Sequence, residues 1–79
     1  MTQDASQILI HAKKLDKNFN IQSDLTIKRV KIYDSTGKLL YDETYNNQNI
    51  NISNLPLGGY VVNSETKENI EISNVLIIS

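Results

Sequence analysis

The sequence predicts an all-β fold, a small antiparallel sandwich of about seven short strands, on three observations. Apolar residues recur with period two in short runs, clusters of Asn, Asp, Gly and Pro separate those runs, and no window longer than a turn or two has helical periodicity. The chain has 79 residues, so residues 1–79 make one domain, since domains usually take about 100–150 residues. A core of this size contributes no more than about 3–5 kcal/mol. Most apolar positions must therefore serve packing.

In the first run Ile8, Ile10 and Ala12 lie on one face and Leu9, His11 and Lys13 on the other. The chain breaks at Leu15-Asp16-Lys17-Asn18 and resumes with Phe19 and Ile21 inward. A third run alternates Val30 and Ile32 against Arg29, Lys31 and Tyr33. Asp34-Ser35-Thr36-Gly37 follows as a hairpin turn, in which Asp can accept backbone hydrogen bonds and Gly can take positive φ. The fourth strand, Lys38–Tyr45, is expected to set Leu39, Tyr41, Glu43 and Tyr45 on one face and Leu40, Asp42 and Thr44 on the other. After a turn at Asn46-Asn47, a short strand carries Ile50 and Ile52 inward.

Asn54–Gly59 holds the only proline and two of the three glycines, and reads as an irregular loop. A sixth strand starts at Gly59-Tyr60-Val61-Val62-Asn63, Glu65–Asn69 forms a hairpin tip, and a last strand follows. In that last strand Ile70 and Ile72 share one parity while Val75 and Ile77 share the other, which predicts a bulge near Ser73-Asn74. Seven short strands at this spacing point to an immunoglobulin-like sandwich.

Composition narrows the function. The absence of cysteine removes disulfides and thiolate zinc sites as stabilisers. Eight Lys+Arg against nine Asp+Glu give a net charge of −1 without long runs of one sign, so neither nucleic acid nor an anionic membrane is an expected partner. The longest apolar stretch, Val75–Ile78, is far too short to span a bilayer, and direct membrane insertion is not expected. The opening MTQDASQ lacks the basic and apolar regions of a signal peptide.

The residues also give no catalytic constellation. His11 stands without a triad or metal partner in the sequence and reads as a surface strand histidine. The carboxylates fall in turns and at outward strand positions, where solvation accounts for them. Gly58-Gly59 belongs to no phosphate-binding pattern. No catalytic residue, metal site or cofactor is expected. Asn51-Ile52-Ser53 fits an N-x-S acceptor and Asp34-Ser35-Thr36 a short O-glycosylation acceptor, both patterns brief enough to arise by chance. What remains for function is surface and strand edge, above all Val75-Leu76-Ile77-Ile78-Ser79, which reads as a closing strand, a binding segment or both.

Two segments then carry a family signature. Val30-Lys31-Ile32-Tyr33-Asp34-Ser35-Thr36-Gly37-Lys38-Leu39-Leu40, followed by Ile50-Asn51-Ile52-Ser53-Asn54-Leu55-Pro56-Leu57-Gly58-Gly59-Tyr60-Val61-Val62, resembles the C-terminal sorting domain of type IX secretion cargo in Bacteroidetes, over roughly residues 19–79. The resemblance implies an immunoglobulin-like, non-catalytic signal domain at the end of a larger cargo protein. It also implies passage through the periplasm and across the outer membrane to the cell surface or medium, with an outer-membrane shuttle barrel and a surface sortase as partners. The candidate recognition residues are Gly37, Lys38, Gly59 and Tyr60, which shape the recognised end, and Val75, Leu76, Ile77 and Ile78, which engage the shuttle. The closing segment lacks the lysines usual in that family. The alternative is an adhesion or carbohydrate-binding sandwich that uses exposed tyrosines such as Tyr33, Tyr41 or Tyr45.

Overall fold

A computed structural model describes residues 9–21 and 23–79. Seven strands form in chain order, β1 (Leu9–Ala12), β2 (Asn18–Phe19), β3 (Ile27–Tyr33), β4 (Leu39–Thr44), β5 (Ile50–Asn51), β6 (Gly58–Thr66) and β7 (Glu71–Ile78). They make two sheets, a five-stranded one in the order β1-β7-β6-β3-β4 and a two-stranded one pairing β2 with β5. This is an immunoglobulin-like β-sandwich with an abbreviated second layer. All ladders are antiparallel except β1 with β7, which is parallel, so the large sheet is mixed. A parallel pair needs a long crossover, and here most of the chain separates the two strands.

Alternation fixes the core. Val30 and Ile32 of β3, Ile50 and Ile52 around β5, Val62 of β6, and Leu76 and Ile78 of β7 are almost fully buried, with Ala12, Ile27, Tyr45 and Tyr60 completing the cluster. Ile10, Phe19, Ile21, Tyr41 and Leu55 pack against it. Ile10 and Ala12 therefore face inward as their spacing predicts, while the predicted inward Ile8 lies outside the described residues. The predicted break after β1 is a short 3-10 turn, Lys14–Asp16, closed by Lys17 in the left-handed region at φ 68°.

Four expectations need correction. β7 runs unbroken from Glu71 to Ile78, its partners on β6 following without a shift from Glu65 to Gly58, so no bulge lies at Ser73-Asn74. The change of parity is real, and it is met by turning Val75 and Ile77 to the outer face while Ile72, Leu76 and Ile78 turn inward. Register shifts fall elsewhere, between Ile27 and Arg29 in the β3–β6 ladder and in the β3–β4 hairpin. There Ile32 pairs with Tyr41 but Tyr33 with Leu39, leaving Leu40 as an extra residue, so Leu39 and Tyr41 do not share a face. Tyr45 is 6% exposed, and its hydroxyl accepts a hydrogen bond from the Ile21 N–H at 2.9 Å, which removes it from any exposed platform. The β6–β7 tip is tighter than expected, because β6 continues through Thr66 and the turn begins at Lys67.

One buried group is ill satisfied. Ser64 on β6 is 2% exposed, opposite Val30 and Ile72, and its hydroxyl has no hydrogen-bond partner. A buried unpaired hydroxyl costs about 1–3 kcal/mol. Ser64→Ala is expected to stabilise the domain by about 1 kcal/mol, seen as a rise of about 4–8 °C in the thermal midpoint.

Candidate functional site

The turn between β3 and β4 is built by one carboxylate. Asp34 Oδ1 accepts from the Thr36 N–H at 2.8 Å, the Thr36 hydroxyl at 2.6 Å and the Lys38 N–H at 3.0 Å. The backbone closes around it, with the Gly37 N–H on the Asp34 carbonyl and the Asp34 N–H on the Lys38 carbonyl. Gly37 sits at φ +88°, where a side chain would be strained. Thus Gly37 and Lys38 are held in place by Asp34, three and four residues upstream.

The same hydrogen bonds, the Thr36 hydroxyl first and the Lys38 backbone N–H next, hold the Asp34 carboxyl below its ordinary value of 3.8. A carboxyl depressed on folding contributes stability that is fully present above its unfolded pKa and is lost as pH falls through the folded value. The urea midpoint is expected to drop as pH is lowered below 3.8. Asp34→Asn should flatten that drop.

The entry to β6 is a second rigid corner. Tyr60 is 6% exposed and its hydroxyl donates to the Pro56 carbonyl. A tyrosine near the start of this strand, bonded back to the backbone a few residues upstream, is the tyrosine corner of immunoglobulin-like sandwiches. Gly58 supports it at φ +141°, a region open to glycine. Tyr60→Phe is expected to lower stability by about 1–2 kcal/mol, because the Pro56 carbonyl loses its donor. Chemical denaturation would measure this, with the slope unchanged.

Register brings these pieces to one end of the large sheet. Gly59 lies opposite Ile77 and Tyr60 opposite Leu76, so the β6 and β7 candidates are direct neighbours. Their side chains divide by face. Tyr60, Leu76 and Ile78 are buried, whereas Val75 is 46% exposed and Ile77 half-buried on the outer face beside Gly59. A shallow open depression on that face is lined by Ser35, Gly59, Tyr60, Val61 and Val75, joining the β3–β4 turn to β6 and β7. Ser35, which the sequence offers only as a turn and glycosylation-pattern residue, and Val61 are not among the candidate recognition residues. The Asp34–Gly37 turn signal pointed near the first, and only the sheet register points to the second.

β7 is not an edge strand. It is hydrogen-bonded to β1 on one side and β6 on the other, and beyond it the Ser79 N–H donates to Ala12 and the Ser79 carbonyl accepts from Lys14. The backbone of Val75–Ile78 is therefore unavailable for strand addition, and there only the outward side chains face a partner. On the same outer face, Arg29 Nε donates to Asp42 Oδ1 at 2.7 Å. This bond lowers the Asp42 pKa and raises that of Arg29. Tyr33 lies on the outer face, while Tyr41 and Tyr45 lie on the core side, so the three tyrosines do not form one platform.

Among the described residues no group of three or more His, Cys, Asp or Glu side chains could hold a metal ion. Among them, too, no helix is long and apolar enough to cross a membrane. Neither the curated proteins nor the solved structures compared with this chain give a match. A family model does match, over residues 15–79, described as a secretion system C-terminal sorting domain. That span holds the Asp34 turn, the tyrosine corner and all of β7, and begins after β1. The chain belongs to the family of type IX secretion C-terminal sorting domains, targeting modules that direct proteins through the secretion machinery to the cell surface or medium.

Proposed function

We propose that residues 1–79 are a single non-catalytic signal domain from a larger cargo protein, captured by an outer-membrane shuttle barrel and then presented to a surface sortase. The observation that carries this reading beyond the family is the division of labour within β7. Leu76 and Ile78 are buried in the core, while Val75 and Ile77 stand on the outer face next to Gly59. One strand thus closes the fold and displays two apolar side chains. A shuttle that docks on Val75, Ile77, Gly59 and the Gly37-Lys38 turn reads the folded state, because unfolding scatters those groups. Tyr60, Leu76 and Ile78 act from beneath, by holding the surface in register.

The test is export of a fluorescent cargo fused to the domain in a type IX-competent cell, together with capture of the shuttle barrel from solubilised outer membranes. Val75→Ser with Ile77→Ser leaves the buried residues of β7 intact and should abolish both. Export and capture at the level of the unaltered domain, with the variant folded by circular dichroism, would remove these side chains from the signal.

A further inference from the structure

The outer face of the five-stranded sheet carries a row that a solvated face does not need. Leu9 lies opposite Val75, Val75 opposite Val61, Val61 opposite Tyr33 and Tyr33 opposite Leu39, one side chain from each strand across the full width. Leu9, Val75, Val61 and Leu39 are 49%, 46%, 40% and 45% exposed, and Tyr33 is half-buried. Outer positions of a half-buried sheet are ordinarily polar, and a contiguous exposed apolar patch marks an interaction surface. Toward the β6–β7 turn the rows are polar, whereas on the other side Ile77 extends the apolar surface beside Gly59. Lys31 aligns with Asp42, Asn63 and Ser73, and beyond them Arg29 aligns with Thr44, Glu65 and Glu71.

We infer that this face pairs with the same face of a second copy of the chain, about a two-fold axis running along the strands between β6 and β3. Such an interface is isologous, so it must be complementary to itself. That axis sets Val61 on the second copy's Tyr33 and Val75 on its Leu39. It also sets Glu65 on the second copy's Arg29 and Asn63 on its Lys31, and no like charges meet. Other axes along the strands do less well. Centred on β6, the axis opposes Glu65 to itself; centred on β3, it opposes Arg29 and Lys31 to themselves; between β7 and β6, it opposes Glu71 to Glu65. An axis between β3 and β4 avoids like charges but leaves β6 and β7 uncovered.

The size of the face sets the strength. Four strands about 4.8 Å apart and four rows about 6.8 Å apart cover about 500 Å² per copy, or about 1,000 Å² in all. Specific interfaces usually bury about 1,200–2,000 Å², so the dimer is weak and forms at high concentration. The pairing does not depend on the export reading. Both use Val75, so a second copy and a shuttle exclude one another, but Glu65 and Arg29, which also bonds Asp42 within its own copy, are not among the proposed shuttle contacts.

Sedimentation equilibrium of the full chain from micromolar to millimolar concentration tests this. A monomer–dimer equilibrium is expected, weakened by salt and absent in Val61→Lys. Arg29→Glu should weaken it about tenfold, and Arg29→Glu combined with Glu65→Arg should restore it. All three positions lie on the outer face of the sheet, and circular dichroism checks that the variants fold. A monomer throughout the range overturns the pairing, as does a dimer that survives Val61→Lys, which would place the contact elsewhere. Export by a chain that is monomeric throughout removes the dimer and leaves the sorting function standing.

Discussion

Deleting Val75–Ser79 is expected to abolish export by unfolding the domain, not by removing a tail. The deletion takes away half of β7, including Leu76 and Ile78 at 0% and 1% exposure, and both of their ladders. Among the described residues β1 then loses its only partner strand, since its four residues pair with Val75 to Ile78. Burying a large aliphatic side chain contributes about 1.5–3 kcal/mol, so losing two removes about 3–6 kcal/mol, as much as the about 3–5 kcal/mol that a domain of this size holds. Circular dichroism should show loss of the β spectrum, and the fused cargo should stay unexported. The informative comparison is with Val75→Ser and Ile77→Ser, which spare the core. Full export with a folded domain after the deletion would show that Val75–Ser79 is dispensable to both fold and signal.

That comparison could be set up only once the parity of β7 was known, and parity marks the limit of what the sequence reveals. Positions whose face depends on their own strand alone were legible. Val30 and Ile32, Ile50 and Ile52, and Ile10 and Ala12 all face the core as period two requires. The Asp34–Gly37 turn was legible too, because its chemistry is local to five residues.

Positions whose face depends on a neighbour strand were not. Leu39 moves to the outer face because Leu40 is an extra residue opposite β3, and nothing within Lys38–Tyr45 signals it. Val75 and Ile77 look like core residues by hydrophobicity, yet the unbroken ladder with β6 commits Leu76 and Ile78 to the interior. The parallel docking of β1 on β7 is a contact between residues more than sixty apart, which no local pattern encodes. The outer apolar row is the sum of these non-local choices. For the same reason Tyr60 was legible as a motif residue but not as a structural one. Its position after Gly58-Gly59 is visible in sequence, whereas the hydrogen bond to Pro56 and the burial of its ring belong to the folded corner.

The second large effect concerns the thin second layer. β2 and β5 contribute only two residues each, so the cover over the inner face of the large sheet rests on few side chains. Ile50 and Ile52 are both 0% exposed and are the largest fully buried groups this layer supplies. Ile52 is also tied down, its N–H donating to the Lys17 carbonyl at 2.8 Å and its carbonyl accepting from the Leu55 N–H at 3.0 Å. That backbone cannot easily collapse into a space left by a truncated side chain. Isoleucine-to-alanine changes in cores cost about 2–5 kcal/mol, the most where the site cannot relax. Ile52→Ala is therefore expected at the upper end, which equals the whole stability of about 3–5 kcal/mol available at this size. Urea titration should show the variant largely unfolded in buffer. Ile52→Val, which removes one methylene, should cost about 0.5–1.5 kcal/mol and leave a cooperative transition. Because the proposed shuttle contacts lie on the opposite face of the large sheet, Ile52→Val should still export its cargo. Loss of export in that folded variant would mean that the signal extends to the two-stranded side.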